Sequence, residues 1–127
     1  MDCRNTRGFS LIELLTVMLV ISILAAIAIP NFNAIRERAF VSTMKGDLHG
    51  LRYAQEVYNV EPDGVYATTI AELGDLWNPS EDVTVTLTGD GETWSAEAFH
   101  PGTPVVCRYT PAGNAIVCDE PEVEGKK

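Results

Sequence analysis

Twenty-one consecutive residues, Phe9 to Ile29, carry a single charge. Ser10, Glu13, Thr16 and Ser22 are the polar members of the run, and only Glu13 is ionised. As a helix the run measures about 31 Å at 1.5 Å per residue, which is the thickness of a bilayer's hydrocarbon core. Arg4 and Arg7 precede it, and Arg36 and Arg38 follow. The whole chain has 127 residues, enough for one domain. The 67 residues after position 60 are too few to wrap such a rod on all sides. The rod must therefore lie in lipid or be covered by other copies of itself. Taken alone, the run fits a plain transmembrane anchor. It also fits a secretory signal with Ala26-Ile27-Ala28 as a small-x-small cleavage site. Glu13 argues against both, because a carboxylate in hydrocarbon costs on the order of 3 kcal/mol and is retained where something pairs with it. No Cys follows the run, which disfavours a lipoprotein.

The residues before Phe9 are short and polar and read as a hydrophilic leader, 1–8. The local string is Arg7-Gly8-Phe9-Ser10-Leu11-Ile12-Glu13, with the apolar helix directly after it. It closely resembles the class III signal of type IV pilins and the related pseudopilins. The resemblance is specific from Arg7 to about Phe40 and architectural beyond. It implies that a prepilin peptidase cuts between Gly8 and Phe9 on the cytoplasmic side, leaves the helix attached, and N-methylates Phe9. Gly8 suits that step physically, since the peptidase needs an unhindered backbone. Cutting there creates an α-amino group at Phe9, about one helical turn from Glu13. The two charges can pair within one chain. The resemblance implies instead that Glu13 of one subunit faces the Phe9 amine of the next, so that the pair favours one axial stagger. The alternative is that Glu13 serves only recognition by the peptidase or the assembly machinery.

Pro30 ends the apolar run, removes a backbone donor and disfavours helical geometry at Ile29. It either stops the helix at the membrane edge or kinks a helix that continues. The pattern downstream favours continuation. Phe32, Ile35, Ala39, Met44, Leu48, Leu51, Ala54 and Tyr58 recur at near-helical spacing, while Arg36, Glu37, Lys45, Asp47, Arg52 and Glu56 mostly fall between them. Gly46 and Gly50 weaken this stretch by about 1 kcal/mol each relative to Ala. Glu61-Pro62-Asp63-Gly64 is a turn string. The expectation is one long helix over 9–60 with a weak joint at Pro30. Ser22 stands where many pilins carry Gly. Ala25, Ala26 and Ala28 permit close packing of such helices.

The remainder alternates. Thr69 and Glu72 form a candidate capping box ahead of a short helix. Residues 83–88, 93–99, 105–109 and 115–118 read as four strands, with Val83, Val85, Leu87, Trp94, Ala96 and Ala98 on inward faces. The predicted class is α+β: an antiparallel sheet packed on the second half of the long helix. The domains are then a leader at 1–8, a membrane or filament-core helix at 9–30, and a globular pilin-like head at 31–127.

Of three cysteines, Cys3 falls in the leader, and trimming it leaves Cys107 and Cys118 on adjacent strands joined by a short turn. They can pair, which points to an oxidising compartment, or they can be two reduced core thiols. A disulfide near the C-terminus resembles a feature of many type IV pilins. The last residues, 119–127, read as an exposed acidic tail.

With 46% hydrophobic and 21% charged residues, the chain is neither a disordered tail nor collagen-like. Residues 1–45 carry net +2 and residues 46–127 net −11. So acidic a distal part repels phosphates, and no nucleic-acid contact is expected. No P-loop, dinucleotide fingerprint or nucleophile-with-base pattern occurs. No enzyme activity and no cofactor is expected. The two His, His49 and His100, lack ligand spacing to the cysteines, and Asp90-Gly91-Glu92 is too short to supply a full calcium shell, so no metal is expected either.

The resemblance implies a structural subunit of a type IV pilus. It would be stored in the inner membrane, handled by the prepilin peptidase and a pilus assembly platform, and self-associated into a helical surface filament. A major pseudopilin of type II secretion is the nearest alternative. A membrane-anchored periplasmic binding or enzyme domain is the alternative outside this class.

Overall fold

The computed structural model describes residues 8–60 and 62–119. The leader up to Arg7, Glu61 of the turn string and the acidic tail beyond Asp119 lie outside the described residues. One helix, α1, runs Leu11–Asn59 and contains Pro30 without interruption. A single turn, α2, spans Ile70–Leu73, and a 3-10 turn follows over Gly74–Leu76. Four strands complete the chain: β1 Thr84–Gly89, β2 Trp94–Phe99, β3 Val106–Thr110 and β4 Ala115–Asp119. They form an antiparallel meander in the order β1-β2-β3-β4. The class is α+β, as the alternation of residues 83–118 requires. The chain divides into two units, Met1–Arg36 and Glu37–Lys127.

Within the second unit, the core is a face of α1 laid on a face of the sheet. Met44, Leu48, Leu51 and Ala54 meet Val85, Trp94, Ala96, Ala98, Cys107 and Tyr109 in one buried cluster. Trp94 stacks on Tyr109 with ring centres 4.4 Å apart. The expected inward faces of β1 and β2 are the observed ones. The helix seam differs from expectation. Phe32, Ile35 and Ala39 are exposed, whereas Phe40 and Val41 are half-buried and full burial begins at Met44. The periodicity marks a side of the helix that avoids water; it does not say how much of that side the chain itself can cover.

Two polar residues of α1 belong to the interior. Asp47, expected on the polar side, is buried because it ties down a distant loop. Its Oδ2 accepts the Ser80 amide at 3.0 Å and its Oδ1 the Ser80 hydroxyl at 2.7 Å. Gln55 is fully buried and acts as a substitute strand for Ala67. Its Nε2 donates to the Ala67 carbonyl and its Oε1 accepts the Ala67 amide, each at 2.9 Å. Gly50, which weakens the helix as a propensity, is needed for packing. A Cβ there would stand 2.9 Å from Trp77 Nε1.

The capping box is offset by one residue from expectation. Thr69 precedes α2 but makes no side-chain cap. Glu72 instead accepts the Thr68 amide at 2.7 Å and the Thr68 hydroxyl at 3.0 Å. Thr69 is extended and α2 is one turn long, so the carboxylate swings past it to the preceding residue. These bonds hold the Glu72 carboxyl below its usual range. At the β1–β2 turn, Asp90 Oδ1 accepts the amides of Thr93 at 2.8 Å and Glu92 at 2.9 Å, which lowers its carboxyl likewise.

The sheet is cross-linked between β3 and β4 and tied to α1 through the β2–β3 loop. Cys107 and Cys118 face each other in the β3–β4 register and form a disulfide. His100, a loop residue as expected, is nonetheless buried. Its ring stacks on Phe40 with centres 4.0 Å apart, and its Nδ1 accepts the Gly102 amide at 2.9 Å. A Cβ on Gly102 would come within 2.6 Å of the Phe40 ring, so only glycine allows this loop so near the helix.

Two outcomes follow from these contacts. Gln55→Leu leaves both Ala67 backbone groups buried without partners and should destabilise the fold by about 2–5 kcal/mol in thermal unfolding of the detergent-solubilised chain. Glu72 and Asp90 both have carboxyls lowered by folding. Their contribution is therefore present above the ordinary carboxylate range and is lost as pH falls through the lowered values. Asp90→Asn keeps an acceptor oxygen, so it should flatten the loss of stability below about pH 4 while leaving the neutral-pH fold intact.

Candidate functional site

In the first unit, the apolar side chains have no cover from the chain. Phe9 is 92% exposed and Leu11 82%, and every large hydrophobic from Leu14 to Ile29 is more than half exposed. The helix is long and apolar enough to cross a membrane, and none of its most apolar stretch is buried. Its internal polar groups are satisfied locally. The Thr16 hydroxyl donates to the Ile12 carbonyl, and the Ser22 hydroxyl donates to the Met18 carbonyl at 2.7 Å. Neither therefore presents an unpaired donor to lipid or to a neighbouring helix.

Glu13 is the polar group that matters here. Helix α1 starts at Leu11, so Ser10 occupies the position before the first helical residue. The Ser10 amide donates to Glu13 Oε2 at 2.9 Å, and the Ser10 carbonyl accepts the Leu14 amide at 3.3 Å. Ser10-Leu11-Ile12-Glu13 is thus the carboxylate half of a capping box. A negative charge in the first turn is also favoured by the helix dipole. The Ser-x-x-Glu spacing spells this bond, a role for Glu13 beside the expected pairing with the Phe9 amine and the alternative of recognition by the peptidase or assembly machinery. In the uncut chain the Phe9 nitrogen is still an amide. The structure brings Gly8, Phe9 and Glu13 into one short stretch at the helix start. Among the described residues, and its chain neighbours aside, a Cβ added at Gly8 would meet nothing within 4 Å, which leaves the backbone unhindered there. Pro30 lies far along the helix from this group, and the Cys107–Cys118 disulfide lies in the other unit.

The arrangement places three features together at the helix start. It offers an accessible peptide bond, a residue whose amine would be freed by cutting it, and a carboxylate one turn away. That carboxylate has one oxygen bonded to its own helix.

The family model for the prokaryotic N-terminal methylation motif matches residues 3–29. The chain is 33% identical to the type IV wide pilus major component PilA4 of Thermus thermophilus, over 94% of this chain and 97% of that protein. It is 33% identical to the type IV major pilin protein PilA of Myxococcus xanthus, over 87% of this chain but 62% of that protein. It is also 33% identical to the type II secretion system core protein G of Pseudomonas aeruginosa, over 48% of this chain and 43% of that protein. No solved structure matches significantly.

The Ser10–Glu13 bond has a direct readout. A hydrogen bond to a carboxylate is worth about 1.5 kcal/mol or more, which is about tenfold in an opening equilibrium. Glu13→Ala should therefore speed amide exchange at Ser10 by about that factor in detergent micelles, with exchange in β2 and β3 unchanged.

Proposed function

The chain belongs to the type IV pilin family, and from that premise we propose that it is a structural subunit of a type IV pilus. The observation that carries this reading is the uncovered apolar helix whose start places Gly8, Phe9 and Glu13 within a turn of one another. In this reading the subunit waits in the inner membrane with the apolar part of α1 in lipid. A prepilin peptidase removes residues 1–8 and methylates Phe9. A pilus assembly platform then transfers the helix from lipid into the membrane end of a bundle of identical helices, and the filament grows outward from there. Glu13 of one copy accepts the Phe9 amine of its neighbour, and the local bond to Ser10 holds the carboxylate until that amine arrives. Pro30 deprives the Ala26 carbonyl of its usual donor and gives α1 a kink as it leaves the core. The chain acts as a building element and not as a catalyst.

The partial likeness to type II secretion core protein G supports a second reading, a major pseudopilin of a secretion system. Coverage favours the pilus, since the likeness to PilA4 runs nearly end to end.

Mass analysis of the exported protein checks the first step. The mature chain should begin at Phe9 and be about 14 Da heavier than its unmodified mass. A chain beginning at Met1 or Ile29 would overturn the reading. Glu13→Ala should still be cleaved, while filament yield collapses. Normal filaments from that variant would remove the pairing role. Long surface filaments on cells producing the chain favour the pilus over the secretion system.

A further inference from the structure

From Tyr53 to Cys107 the sequence holds ten Asp and Glu and no Lys or Arg. The helix ahead of that segment has the opposite character. Arg38, Lys45 and Arg52 recur every seven residues, with His49 between the last two. Seven residues are nearly two helical turns, so these side chains share one side of α1. That side is distinct from the buried stripe of Met44, Leu48 and Leu51. Arg38, Lys45 and His49 are exposed and Arg52 is half-buried. The nearby acids of α1 are turned to other tasks. Asp47 holds Ser80, Glu37 accepts the Thr103 hydroxyl, and Glu56 faces the Tyr66 hydroxyl. Among the described residues, no carboxylate stands within salt-bridge distance of Arg38, Lys45 or Arg52, whereas Arg108 holds Glu97 at 2.7 Å.

The acidic segment has a place that suits such a stripe. Asp63 lines a cavity of about 400 Å³ together with Val57, Val65 and Leu76. All three hydrophobics are exposed, and Asp75 is exposed next to Leu76 in the chain. An apolar floor beside a carboxylate fits a long cationic side chain, whose stem packs while its head stays at the polar rim.

We propose that the Arg38–Lys45–Arg52 stripe of one copy docks on the acidic surface around Asp63 and Asp75 of a second copy. The proposal rests on the filament reading above. Charge complementarity selects the occupant. The full chain carries net −9, and removing residues 1–8 with Asp2, Arg4 and Arg7 makes it more negative still, so subunits repel one another; setting the basic stripe against the acidic surface is how such copies associate without that cost. The other taker of a basic stripe is an anionic membrane. Lys45 and Arg52 stand sixteen and twenty-three residues past Ile29, about 24 and 35 Å of helix. Both exceed a Debye length of about 8 Å, so headgroups at the end of the apolar run do not account for them.

The test is a charge swap in the full-length chain, produced in cells that assemble it. Arg38→Glu with Lys45→Glu should lower filament yield about tenfold or more, with cleavage at Phe9 and the melting temperature unchanged. Asp63→Lys with Asp75→Lys should lower it similarly. Combining all four should restore yield to within about threefold of the unaltered chain. Undiminished filaments from the first pair, or a loss that the fourfold variant does not repair, overturns the proposal while leaving the filament reading in place. So does a first pair that merely loses binding to vesicles containing phosphatidylglycerol, with filaments intact. If the unaltered chain forms no filaments at all, the filament reading fails first and the stripe proposal with it.

Discussion

Glu13 gripping the Ser10 amide at the head of an uncovered apolar helix sets the terms for everything else in the molecule. Each large side chain from Phe9 to Ile29 is worth about 1.5–3 kcal/mol when removed from water, so the helix is never stable as a bare rod. Lipid and a bundle of like helices both satisfy that demand. The apolar term therefore nearly cancels when a subunit passes from one to the other, because lipid tails are as apolar as leucine. What distinguishes the two environments is packing and polar contacts. In the proposed filament, a carboxylate that has only a local donor in lipid gains a full positive partner when a neighbour's amine reaches it. The lone charge thus biases an exchange that hydrophobicity alone leaves balanced.

The globular unit answers a different constraint. A four-stranded meander with one helix face against it has a small core, and small cores need fixed points. Three are visible. The disulfide joins β3 to β4, the edge strand of the sheet among the described residues. Closing a loop of that length contributes about 3 kcal/mol in the chain-entropy picture. Gln55 substitutes for a missing strand at Ala67, keeping the segment after α1 against the core without a sheet to join. The Phe40–His100 stack, made close by Gly102, holds the β2–β3 loop to α1 at the start of this unit. The disulfide and the Gln55–Ala67 pair span only 11 and 12 residues while the Phe40–His100 stack joins distant segments, and each keeps a part of the surface fixed that a repeating assembly would have to present identically in every copy.

The parts of this arrangement that are legible in sequence are those carried by period and by local spelling. The apolar run, the Arg7-Gly8-Phe9 string, the alternation of Val83-Thr84-Val85 and the two late cysteines each state their structure within a few residues. The helix continues through Pro30 because the apolar spacing resumes beyond it. The missed features depend on distant partners. Asp47 looks like any surface acid until Ser80 is brought to it, and His100 is an ordinary loop residue until Phe40 stacks on it. Phe32 and Ile35 fail in the opposite sense, since their spacing is right and the covering surface is not supplied by this chain. The Ser10–Glu13 cap is spelled locally as Ser-x-x-Glu, on the same carboxylate that faces the Phe9 amine only in the proposed filament.

Apolar burial holds subunits together but is indifferent to sliding, since one greasy stretch of helix packs about as well as the next. Register must come from groups whose energy changes sharply with position. Glu13 is one such group, at the end of the helix, where low dielectric makes mispairing costly. A single pair at one end fixes the axial step and leaves rotation about the helix axis free. A second set of oriented charges on the globular unit removes that freedom, and the heptad-spaced cations of α1 opposite an acid-only segment have the required polarity. Because these outer charges are exposed, salt screens them strongly, whereas it hardly reaches Glu13 within a closed bundle. In the proposed filament the two sets therefore divide the work by depth: the inner pair sets the step, and the outer stripe sets the angular fit in a way that ionic strength can loosen.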